Sequence, residues 1–189
     1  MVLEDPPLFT TQLPRARSTW NHVDLATTCH NFLVSGEDDW VAYAWTHQRM
    51  WKSFGNGAPK LIEIGMEHHR KHPGEPIRVW FLPQFDEVNR ALPDYHPRFG
   101  EAFFTGSWDT GFDTEATLRR ISAPAVLIHT RVAYDTDGVL MAAMGDEEAA
   151  RARSAIPGVE FIKVETGHGF HLADPRHFER ILRDLRQRI

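Results

Sequence analysis

With 189 residues and 42% hydrophobic side chains, the chain can bury a core of ordinary size, as one domain or one domain plus an insertion. A formal charge of -5, with Lys and Arg interleaved with Asp and Glu, excludes a basic stripe and argues against nucleic acid as a partner. The single cysteine, Cys29, rules out an intramolecular disulfide framework; no apolar run reaches membrane-spanning length and no export signal opens the chain, so a cytoplasmic protein with no membrane partner is expected.

The opening VLEDPPLF reads as the end of a buried strand, broken at once by Pro6 and Pro7. From about residue 22 to 95 the periodicity is helical, the one strand candidate being IRVWF at 77–81. A helix is predicted from near residue 38 to the glycines at 55–57, with Trp40, Val41, Ala44, Trp45, Trp51 and Phe54 on one side. Pro59 opens the next, Leu61, Ile62 and Met66 form its apolar side, and Pro73 with Gly74 closes it. A short helix follows over 84–92, and PDYHPRFGEAFFTGSWDTGFD reads as a loop.

Beyond that loop helix and strand alternate. TEATLRRI follows an N-cap at Asp113, SAPAVLIHT is a β-rich run, and 146–155 is helical. In GVEFIKVE, Val159 and Phe161 point to one side, Ile162 and Val164 to the other. The last helix has Asp174 at its N-cap, Pro175 at N1, and Phe178, Ile181, Leu182 and Leu185 at helical spacing. Connections of this length suit crossovers between parallel strands with helices on the sheet faces, an α/β fold class. Functional groups in such sheets gather at the carboxyl ends of strands, here EDPPLF, HTRVAYDTDG and ETGHGFH.

The chemistry is sharpest in VETGHGFHLADPRHF. His168 sits between glycines after a strand, and the helix behind Asp174 fixes the loop, so His168 is the candidate general base. His171, three residues on, is its competitor and reads as a packing or loop-stabilising imidazole. A carboxylate from the preceding loop would accept the Nδ1 hydrogen of that base: Asp137, presented before a glycine, with Asp135 as the alternative, although Asp-x-Asp-Gly is also ordinary turn chemistry.

Taken together, VLEDPP (2–7), a helical stretch, LRRISAPAVLIHT (118–130), an Asp-containing loop and VETGHGFHLADPRHF (164–178) resemble the second half of the α/β-hydrolase superfamily, over essentially the whole chain. The resemblance implies a mostly parallel eight-stranded sheet, a triad in the order nucleophile, acid, His, and a lid of helices after the sixth strand. The opening strand would match the sixth, 118–130 would lead through the seventh, and 159–164 would be the eighth. On that reading residues 1–12 are a first core strand and loop, 13–112 a helical cap, and 113–189 the C-terminal core segment with the acid and His loops.

A nucleophile elbow, G-x-S-x-G, is absent from the sequence, as are its Asp and Cys substitutes. None of Ser18, Ser35, Ser53, Ser107, Ser122 and Ser154 has the glycine context of an elbow. Cys29 and His30 are adjacent helical residues and point in different directions, which speaks against a thiolate pair. The expectation is therefore a partial α/β-hydrolase fold, truncated before its nucleophile and inactive alone. Its open sheet would be covered by a complementary N-terminal chain or by oligomerisation. The parent activity is hydrolysis of an ester, amide or carbon–carbon bond in a small apolar substrate; the alternatives are a non-catalytic binding module derived from the fold and a truncated reading frame without a role. Trp108 and Phe112 are the candidate pocket-lining aromatics. His68, His69 and His72 read as a solvated helix face, and no metal or cofactor is expected, there being no phosphate loop or metal motif.

Overall fold

The computed structural model describes residues 1–79 and 86–188, with the backbone alone at 86–88. The chain forms two compact units: Met1–Trp20 with Asp109–Ile189, and Asn21–Trp108.

In the first unit three short strands, β1 (Val2–Glu4), β2 (Val126–His129) and β3 (Glu160–Lys163), make a parallel sheet in the order β1-β2-β3. Successive residues of a strand face opposite ways, and the register exploits this: Leu3, Leu127 and Phe161 stand side by side, as do Glu4, Ile128 and Ile162. Leu3, Leu127 and Phe161 pack with Leu118 of α6 (Thr114–Arg119) and with Ala149, Ala152 and Ala155 of α7 (Asp146–Ala155). Val126, Ile128 and Ile162 pack with Phe170 of α8 (Phe170–Ala173) and with Ile181 and Leu185 of α9 (Pro175–Arg186). The central strand is covered on both faces, Leu127 and Ile128 being wholly buried, each contributing about 1.5–3 kcal/mol through burial.

The helices start where their caps dictate. Asp113 accepts from the Ala116 amide at 2.8 Å, and Asp174 from the His177 amide at 3.1 Å ahead of Pro175. At α7, Glu148 reaches back to the Gly145 amide at 2.9 Å, and three acidic residues occupy the positive end of the helix dipole. The expected α/β class is thus met at the level of a parallel three-stranded sheet flanked by helices.

The second unit is helical: a π-helical turn (His22–Ala26) running into α1 (Thr27–Ser35), then α2 (Trp40–His47), α3 (Ala58–Lys71), α4 (Asp86–Ala91) and α5 (Pro97–Thr105). The single helix predicted over 38–57 is broken. Gln48 is extended, and the chain resumes as a 3-10 stretch, Arg49–Gly57. The cause is local competition: the Trp51 indole takes the Trp45 carbonyl that the Arg49 amide would claim in a continuous helix, and Arg49 donates to the Asp24 carboxylate instead. The stretch 93–113, predicted as loop, contains α5. Its signals were Pro97 at N1, an N-cap at His96 whose Nδ1 accepts from the Arg98 amide, and a left-handed Gly106 at the end. Of the predicted strand 77–81, residues 77–79 form none and 80–81 lie outside the described residues, as do 84 and 85 of the predicted helix 84–92. Among the described residues no helix is long and apolar enough to cross a membrane.

Candidate functional site

The site grows from the point where β1 stops. Its ladder with β2 runs through Val126 N to Met1 O and Asp5 N to Ile128 O at 2.9 Å. The two-residue step of a parallel ladder would next bring Thr130 N to the Asp5 carbonyl. Asp5 instead turns into the left-handed region, with φ 39°, ahead of Pro6, and its side chain takes over: Thr130 N donates to Oδ1 at 3.3 Å and the Thr130 hydroxyl to Oδ2 at 2.7 Å. A non-glycine residue with positive φ is uncommon, and here it aims a carboxylate into the sheet end.

On the other flank the β2–β3 ladder extends past both strands, from Val164 N to His129 O and from Arg131 N to Thr166 O. That bond anchors the glycine-containing loop two residues before His168. His168 Nδ1 then lies 2.9 Å from Asp5 Oδ2, with the carboxylate fully buried and 70% of the imidazole side chain exposed. A carboxylate only accepts, so Nδ1 carries the hydrogen and the unshared lone pair of a neutral ring is on Nε2.

The pair is electrostatically reinforced. Burial pushes the Asp5 carboxyl up, but the hydrogen bonds from His168 and Thr130 outweigh it and hold the pKa below the ordinary carboxylate value. His168 is raised above the usual imidazole value, first by its hydrogen bond to Asp5, with partial burial opposing, and then by the charges of Asp5 and Glu4.

The partner of His168 Nδ1 is thus Asp5, in the place where the sequence analysis puts Asp137 or Asp135. The latter two build a turn of their own. Asp135 Oδ1 accepts from the amides of Asp137 and Val139 at 2.9 and 2.8 Å, and Gly138 supplies the left-handed position. His171 is held by the other acidic residue at the end of β1: Glu4 accepts from its backbone amide and from its Nδ1, both at 2.9 Å, which ties down the start of α8. Two consecutive carboxylates, Glu4 and Asp5, therefore clamp two histidines three residues apart.

Behind Asp5 stands a third imidazole. His129 is buried at the end of β2, its Nδ1 3.7 Å from Asp5 Oδ1 and its Nε2 3.1 Å from Asp146 Oδ1. Sequence reasoning passed over Asp5, Thr130, Glu4 and His129. The usable signal was EDPP at a strand end, two carboxylates stopped by prolines, which matters only once β1 is placed beside β2.

Other candidates resolve as follows. Phe112 lines an open cleft of about 330 Å3 in the first unit together with Phe9, Gln12, Thr114 and Arg151. Trp108, in the second unit, stacks on Phe103 with ring centroids 5.1 Å apart. Cys29 is fully buried, and burial followed by the nearby Glu101 charge pushes its thiol up to about 12, so it is no nucleophile near neutrality. His30 pairs with Glu101 at 2.9 Å instead. His69 pairs with Asp39 at 2.8 Å, and the His68 and His72 rings lie 4.6 Å apart. Among the described residues no group of three or more His, Cys, Asp or Glu is arranged to hold a metal ion.

The arrangement can orient one exposed imidazole as a proton acceptor and stabilise the imidazolium that results. Comparison of the sequence with protein-family models and with curated proteins finds no match.

Proposed function

We propose that this chain carries the acid and the base of an α/β-hydrolase-type site, Asp5 and His168, and acts with a nucleophile contributed from outside these 189 residues, by a contiguous segment or a complementary chain. The observation that carries the reading is the 2.9 Å bond between a fully buried carboxylate and a largely exposed imidazole at the carboxyl end of a parallel sheet. Two further features support it. The helical unit Asn21–Trp108 is inserted between β1 and β2 in the sequence, where a cap would be, and among the described residues β1 ends the sheet order, leaving its outer edge for further strands.

In the proposed reaction His168 Nε2 takes the proton of a hydroxyl as its oxygen attacks the substrate carbonyl carbon. Asp5 holds the imidazole in the right tautomer and stabilises its positive charge. The proton passes to the leaving group as the acyl bond breaks, and the cycle repeats with water to release the acid. The substrate class is a small apolar ester, amide or carbon–carbon-cleavable compound, and no cofactor takes part.

The test is serine-reactive labelling and short-acyl-ester turnover of the protein purified from its source, in wild type and in a His168→Ala strain. Labelling and turnover that fall at least 10³-fold in the variant, with an unchanged melting profile, are expected. Turnover that survives the substitution, or a native preparation that neither labels nor turns over, overturns the proposal; the second result leaves a non-catalytic binding module.

A further inference from the structure

The buried imidazole behind Asp5 has a proton inventory that fixes one nitrogen and leaves the other open. Asp146 Oδ1 accepts from Lys163 Nζ at 2.7 Å and lies 3.1 Å from His129 Nε2, so Nε2 carries a hydrogen. Nδ1 of the same ring is buried and makes no hydrogen bond, yet it faces a carboxylate oxygen, Asp5 Oδ1, at 3.7 Å. A bare Nδ1 there sets a lone pair against an anion at a position buried from bulk solvent. A proton on Nδ1 turns the same contact into an attraction, and the ring becomes a cation between two carboxylates.

We propose that His129 and His168 share the Asp5 carboxylate, with His129 a positioning residue that sets how strongly Asp5 holds the proton of His168. Each imidazole faces its own oxygen, Oδ1 for His129 and Oδ2 for His168, so a proton on either ring compensates the charge seen by the other. The groups around His129 are Asp5 from the end of β1, Asp146 from the start of α7, Lys163 from β3 acting through Asp146, and the Phe161 ring at 6.1 Å; His168 stands across the shared carboxylate. The outcome is that the exposed ring is released as a free base at lower pH than Asp5 alone would allow. Asp146 and Lys163, both partly in solvent, connect this arrangement to the surface.

This deepens the reading of His168 as a base, but its test needs no turnover. Histidine titrations followed by long-range 1H–15N spectra of the full 189-residue chain would compare wild type with His129→Gln and Asp146→Asn. His129→Gln removes the ring that competes for Asp5, so the His168 midpoint moves up by about one pH unit, a tenfold gain in proton affinity. Asp146→Asn alters an exposed side chain and removes the charge favouring a second proton on His129, so it moves His168 in the same direction and serves if the buried substitution fails to fold. A His168 midpoint unmoved in the folded variants overturns the proposal. A moved midpoint, where the protein purified from its source neither labels nor turns over ester, keeps this inference and rejects the hydrolytic one.

Discussion

A carboxylate withdrawn from water stays ionised only where hydrogen bonds and opposite charge replace its hydration, and Asp5 obtains both from Thr130 and His168. Its lowered pKa means that its stabilising contribution is present above the unfolded carboxylate value, ~3.9, and is lost as pH falls through the lower folded value. For His168 the sign is opposite: a raised folded pKa gives stability that is complete below the unfolded imidazole value, ~6.5, and is lost as pH rises through the folded value. Both contributions coexist from about pH 4 to about pH 6.5. Asp5→Asn is therefore expected to cost about 1–3 kcal/mol in urea unfolding near pH 5, and less above the folded His168 value. The same variant should return the His168 titration toward the ordinary imidazole range. A stability difference independent of pH would mean that Asp5 acts only through Thr130.

Between elements, what decides the structure is who claims a given backbone group or a given space. Asp113, Asp174 and the strands around Leu127 and Phe161 were legible because caps and alternation act within a few residues. The break after His47 was not, because the Trp51 indole takes a backbone carbonyl that helical periodicity assigns to the Arg49 amide, and the Asp24 carboxylate that receives that amide lies 25 positions away. His168 stood out by its glycine-flanked loop, whereas Asp5 lies 163 positions away and becomes its partner only through the β1–β2–β3 register. The contact of α1 with α5 is equally non-local: a Cβ on Gly100 would sit 2.3 Å from Cys29 Sγ and 2.8 Å from its Cβ. Alanine favours an exposed helix interior over glycine by about 1 kcal/mol, but overpacking costs about 1–3 kcal/mol. Gly100→Ala is thus expected to lower the melting temperature, and adding Cys29→Ala to recover part of the loss. A stabilised single variant would show that the two helices separate at no cost.

At the scale of the molecule, the sheet unit is assembled from both ends of the chain, with Asn21–Trp108 folded as a compact body of its own. The two bodies have different cores, β2 with its helices in one and Trp40, Trp45 and Trp51 with their neighbours in the other. The tryptophans divide the same way: Trp20 belongs to the sheet unit, and the remaining five of the six fall within residues 21–108 of the sequence. Tryptophan emission therefore reports mainly on the helical unit. Leu127, wholly buried at the centre of the sheet, gives the matching perturbation: Leu127→Ala should cost about 2–5 kcal/mol in that unit alone. Calorimetry of the variant should show one transition displaced to lower temperature, with protection lost from amides of β2 and β3, while the emission-detected midpoint stays where it is. Emission and heat capacity shifting together by the same amount would show instead that the two bodies unfold as one cooperative unit, so that damage to the sheet carrying Asp5 and His168 cannot be separated from loss of the helical body.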